Sequence, residues 1–66
     1  METIRTVGEF ELVFEPLMKM FRIVNKETEK LSMWFDAETS NELEEMDDDE
    51  FSTTAQQYIQ DASYAN

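Results

Sequence analysis

Apolar and polar positions alternate along the first half of the chain and fall at helical spacing along the second. Glu9-Phe10-Glu11-Leu12-Val13-Phe14-Glu15 alternates strictly apart from Val13, which places Phe10, Leu12 and Phe14 on one face of a strand and the glutamates on the other. Pro16 lacks the N–H that a ladder needs, so it ends that strand or lies in the turn after it. Met18 to Asn25 and Lys30 to Asp36 read as two further strands, joined by the polar stretch Asn25-Lys26-Glu27-Thr28-Glu29 as a hairpin loop. The register that best segregates the apolar residues sets Ile23 opposite Leu31 and Phe21 opposite Met33. Val24/Lys30, Arg22/Ser32 and Met20/Trp34 then share the other face. No glycine stands in this loop, where a short hairpin usually wants positive φ. Residues 2–7 add a fourth strand through Gly8, although Ile4 and Val7 then point to opposite faces.

The period changes after residue 36. Phe51, Ala55, Tyr58, Ile59 and Ala62 fall at i, i+4, i+7, i+8 and i+11, one stripe of an α-helix. Asp47, Asp48 and Asp49 stand just before it, where free N–H groups and the helix dipole favour negative charge. Thr39 with Glu42 three residues on resembles a capping box, opening a short helix that turns Leu43 and Met46 inward. The spacing from Met46 to Phe51 breaks the helical period, so two helical pieces are expected. The predicted fold is α+β: an antiparallel meander of three to four strands, followed by one or two C-terminal helices packed on one face. That face carries Phe10, Leu12, Phe14, Phe21, Ile23, Leu31, Met33 and Phe35. All 66 residues form a single domain, with a β-rich part over 1–36, a helical part over 37–63 and a frayed tail at 64–66.

Charge divides the chain at the same point. Residues 1–34 hold six acids and all five bases, whereas residues 35–66 hold ten acids and no base, for a net charge of −11. Nine of those acids fall in the fifteen positions from Asp36 to Glu50: Asp36, Glu38, Glu42, Glu44, Glu45, Asp47, Asp48, Asp49 and Glu50. Surfaces that merely solubilise usually intersperse both signs. A block of one sign fits a partner of the opposite sign. A nucleic-acid backbone also presents closely spaced negative charge, so this half is suited to the basic surface of a nucleic-acid-binding protein, excluding DNA from it. The bland alternative is a solvated face with several carboxylates serving as helix caps.

Other chemistries are disfavoured. The chain has no cysteine and no histidine, which removes disulfides, thiolate metal sites and the commonest catalytic base. The contiguous acids Asp47–Glu50 lack the alternation and the glycine of an EF-hand calcium loop. The single Gly8 makes no phosphate-binding loop. No enzyme activity, cofactor or specific metal site is expected. The apolar stretch Leu17–Val24, interrupted by Lys19 and Arg22, is far short of the ~20 residues that span a bilayer. No membrane association and no secretory signal are expected, and the cytoplasm is the expected location.

In size, charge and sheet-plus-helix pattern the chain resembles the small acidic inhibitors made by bacteriophages. These include DNA mimics that block uracil-DNA glycosylase, restriction enzymes, CRISPR effectors or nucleoid proteins. The likeness implies an inhibitor that binds a basic protein rather than nucleic acid itself, in the host cytoplasm if the chain is phage-encoded; it carries over no functional residue. A second candidate surface lies on the sheet face away from the helices, where Met20, Val24 and Trp34 form an apolar patch. That patch suits a structural or regulatory interaction module, an RNA polymerase inhibitor of apolar contact, or a homodimer, with acidity serving solubility alone. A domain this small buries only about 60% of its unfolded surface, so self-association would add support.

Overall fold

Two tight turns and one bulge convert the alternating first half into a sheet. The computed structural model describes residues 1–65, and the side chains of 1–63, so the tail expected to fray at 64–66 falls outside the fully described residues. The sheet contains β1 (Glu2–Val7), β2 (Phe10–Glu15) and β3 (Met20–Asn25), antiparallel in the order β1-β2-β3. Two helices follow, α1 (Ala37–Glu45) and α2 (Asp48–Ala65), which completes the α+β arrangement. Gly8 and Glu9 link β1 to β2, and Gly8 takes φ +57 at the first central position, which a side chain adopts only under strain.

A bulge between Thr3 and Arg5 resolves the conflict in β1. Thr3 pairs with Val13 and Arg5 with Leu12, so Ile4 is the extra residue. With that insertion both Ile4 and Val7 pack against the core. The core is one cluster of Phe10, Leu12 and Ile23 from the sheet with Leu43, Phe51, Ala55 and Ile59 from the helices. Both helices therefore lie on the face that the alternation of β2 marks out. The ring of Phe14 is only half-buried and sits 4.9 Å from that of Phe21.

The third strand expected over 30–36 does not form. This segment touches β3 through two isolated bridges, Val24 to Leu31 and Phe21 to Phe35. Four steps of the segment lie against three of β3, so the predicted pairs Ile23/Leu31 and Phe21/Met33 are out of register. The expected core residues Leu31 and Met33 are consequently exposed, Met33 to 60%. Ser32 holds the irregular stretch. Its N–H donates to the Ile23 carbonyl at 3.0 Å, while its Oγ accepts from the Ile23 N–H and donates to the Met33 carbonyl, both at 2.8 Å. A side chain has replaced a backbone acceptor. Ser32→Ala leaves the buried Ile23 N–H without that partner and is expected to cost about 1–3 kcal/mol, read as a lower urea midpoint. A loss below about 0.5 kcal/mol would show that the N–H finds another acceptor.

Asn25 closes the loop after β3. Its buried side chain accepts from the N–H groups of Glu27 and Thr28 at 2.9 and 3.1 Å and donates to Glu9 at 3.1 Å. Glu29 then takes φ 62 and Lys19, in the Pro16–Lys19 turn, takes φ 55. These are the left-handed positions for which the chain supplies no glycine. A left-handed residue with a side chain costs roughly 1–2 kcal/mol, and glycine gives part of that back as unfolded-state entropy. Glu29→Gly is expected to stabilise by about 0.5–1 kcal/mol. A melting temperature that falls in the variant would contradict this.

Candidate functional site

The acidic stretch from Asp36 to Glu50 divides into caps, a staple and a free surface. Asp36, rather than the expected Thr39, caps α1: its Oδ1 accepts from the Thr39 N–H at 3.0 Å. That backbone bond, helped by the Thr39 hydroxyl, holds the Asp36 carboxyl below its ordinary pKa and keeps the cap ionised. Asp47 serves α2 in the same way, accepting from the Glu50 N–H at 2.8 Å. Met46 turns to extended backbone between the helices, which produces the expected break.

Asp48 is tied to the sheet. Its Oδ1 meets Arg5 Nη2 at 3.1 Å. The same guanidinium donates to the carbonyls of Leu43 at 2.7 Å and Glu44 at 3.3 Å, and lies 4.6 Å from the ring centroid of Phe51. The last turn of α1 carries no base of its own. The cation that its unpaired carbonyls favour is supplied by β1 instead. Nothing local in the sequence signals this, because the partners are 38 and 39 residues apart.

The remaining six carboxylates, Glu38, Glu42, Glu44, Glu45, Asp49 and Glu50, are exposed. None makes a side-chain hydrogen bond or ion pair among the described residues. Ser40 and Leu43 are the buried residues of α1. Glu38, Glu42 and Glu45 stand at i, i+4 and i+7 on the opposite side, so they form one outward row with neighbours ~5–6 Å apart. Asp49 points outward from α2, on the side away from Phe51 and Ala55. Among the described residues no three acidic groups converge to hold a metal ion. No helix there is long and apolar enough to cross a membrane.

The second candidate surface is more closed than its composition suggests. Met20, Val24 and Trp34 are each half-buried. Met20 pairs with Glu15, Arg22 with Val13 and Val24 with Glu11, which places Met20, Arg22, Val24 and the buried Val13 on the face away from the helices. Val13 thus breaks the alternation of β2 because this face has a small apolar layer of its own. Trp34 folds over Arg22, with the guanidinium 4.1 Å from its ring centroid, and does not take the expected place beside Met20. Among the described residues the most exposed large apolar side chain is Leu17, 95% exposed in the Pro16–Lys19 turn, followed by Met1 and Met33.

Beside Trp34 the irregular segment and the helices leave an open recess of about 240 Å³. Ser32, Met33, Trp34, Phe35, Thr39, Tyr58 and Asp61 line it. Phe35 and Tyr58 meet edge to face at 5.6 Å. No protein-family model matches the chain, and no curated protein or solved structure matches it. The geometry of the chain itself is what a functional reading has to rest on.

Proposed function

We propose that the chain is a small, non-enzymatic binding protein whose acidic helical surface occupies the basic surface of a nucleic-acid-binding protein, in the manner of a DNA mimic. The observation that carries this reading is the outward row Glu38, Glu42 and Glu45, with Glu44, Asp49 and Glu50 beside it, in a half of the chain that holds no base. These carboxylates cap nothing and pair with nothing among the described residues. Their mutual repulsion is a cost, since like charges at i, i+4 destabilise a helix by roughly 0.2–0.5 kcal/mol per pair. A basic partner turns that cost into attraction and speeds encounter at low salt. The proposed site of action is the cytoplasm, that of the host if the chain is phage-encoded.

The structure refines which residues a test should change. Reversing Asp36, Asp47 or Asp48 would damage a cap or the Arg5 contact, whereas Glu42 and Glu45 have no side-chain partner and Glu38 contributes only its charge to the first turn of α1. The Glu38→Lys, Glu42→Lys, Glu45→Lys triple variant is expected to fold and to lose at least ~100-fold in affinity for a partner captured from bacterial lysate. The parent complex should dissociate as NaCl rises from about 50 to 500 mM and should compete with duplex DNA. Equal capture by the triple variant would sink the proposal. A partner that instead resists high salt and is lost on replacing Met20 and Trp34 by alanine would favour the apolar interaction module.

A further inference from the structure

We infer that the recess between Trp34 and α2 receives one arginine side chain of the basic partner, anchoring the broader contact made by the acidic surface. This inference rests on the proposed function and names the contact that would orient it. Three features of the recess select the ligand. Its volume of about 240 Å³ is below the ~300–1,000 Å³ usual for small-molecule and cofactor sites, and suits one long side chain. Its lining is mainly aromatic and apolar, Met33, Trp34, Phe35 and Tyr58 beside Ser32 and Thr39, which suits an apolar stem. Its one charged lining residue is Asp61, whose Oδ1 accepts from Gln57 Nε2 at 2.8 Å, leaving the second carboxylate oxygen free to accept from a ligand.

Aromatic faces beside a carboxylate are what a guanidinium binds, through cation–π attraction and a charge-assisted hydrogen bond. The protein already stacks a guanidinium on an aromatic ring twice within its own fold, at Arg5 over Phe51 and at Arg22 over Trp34, and at Arg5 a carboxylate, Asp48, completes the set. Arg22 is not among the lining residues, so its stack on Trp34 does not fill the recess. An anionic ligand is disfavoured by Asp61 and by the net charge of −11. Arginine is favoured over lysine because a planar guanidinium can stack on a ring and hydrogen-bond Asp61 at once.

The test uses the full chain and two blocked peptides, acetyl-Gly-Arg-Gly-amide and its norleucine counterpart, at millimolar concentration. Backbone amide shifts and the fluorescence of Trp34, the single tryptophan, report binding. The arginine peptide is expected to shift Met33, Phe35, Thr39, Tyr58 and Asp61 together, with the norleucine peptide at least ~5-fold weaker. Asp61→Asn should weaken the arginine peptide ~5–10-fold, whereas Glu2→Gln, an equal loss of charge on β1, outside both the recess and the acidic surface, should change it less than ~2-fold. Shifts that spread along α1, equal effects of the two variants, or equal binding of norleucine would each overturn the inference. If the peptide misses the recess while lysate capture remains sensitive to Glu38, Glu42 and Glu45, the anchor is wrong and the acidic-surface reading stands. Loss of that sensitivity as well would remove both.

Discussion

Phe51→Ala is expected to destabilise the protein by about 3–5 kcal/mol, a large share of its total stability. Phe51 is fully buried and belongs to the core cluster shared by both layers. Removing its ring deletes most of the side chain's transfer energy and leaves a cavity that the surrounding Leu12, Ile23 and Leu43 side chains fill only in part. The reserve is small. At roughly 0.05–0.15 kcal/mol per residue, a chain of 66 residues has a total stability of only about 3–10 kcal/mol. Phe51→Leu, which keeps an apolar side chain of comparable length, should cost much less. Urea titrations followed by far-UV circular dichroism would measure both, and a cooperative Phe51→Ala transition near the parent midpoint would contradict the assigned core.

Arg5→Ala is expected to cost about 2–4 kcal/mol, although Arg5 is a polar residue on an edge strand. The largest part comes from two charge-assisted hydrogen bonds to the carbonyls of Leu43 and Glu44, which the rest of the chain does not replace. Stacking on Phe51 adds about 0.5–1 kcal/mol. The ion pair with Asp48 adds little, since the Asp48 side chain is 80% exposed and solvent screens it. Asp48→Asn should therefore be nearly neutral while Arg5→Ala is not. Arg5→Lys should recover only part of the loss, because one ammonium cannot reproduce the fork that reaches two carbonyls and a carboxylate. Arg5 and Phe51 are in contact, so their double variant should deviate from additivity by more than about 0.5 kcal/mol. Equal stabilities for Arg5→Ala and Asp48→Asn would show that the guanidinium is not what joins the layers.

The same contact adds to the apolar packing of Leu43, Phe51, Ala55 and Ile59 that holds the acidic half to the sheet. That half has ten acids and no base of its own. One cation from the near-neutral half meets its helices where the C-terminus of α1 and the N-terminus of α2 converge. It satisfies the carbonyl end of the first helix and an acid in the first turn of the second. That arrangement leaves the outward carboxylates of α1 uncompensated and available.

Local patterning by itself determined β2, α2 and the α+β arrangement. Phe10, Leu12 and Phe14 alternate because a strand presents every second residue to one face, and Phe51, Ala55, Ile59 and Ala62 recur because a helix returns to the same face each turn. Those are properties of neighbouring residues, so the chain states them locally. The block of acids, and hence an exposed anionic surface, was legible for the same reason. Only the tertiary structure decided the rest. The alternation of Leu31, Met33 and Phe35 mimics a strand, yet an extra residue between the two bridges and the Ser32 side chain withdraw the segment from the ladder. The bulge at Ile4 makes a strand of residues whose apolar positions are out of phase. Arg5 ties down Asp48, and caps take up Asp36 and Asp47, so that contacts, one set spanning more than half the chain, decide which carboxylates stay free. Register, bulges and long-range capping depend on which groups meet once the layers close, and the periodicity of a sequence carries no record of that.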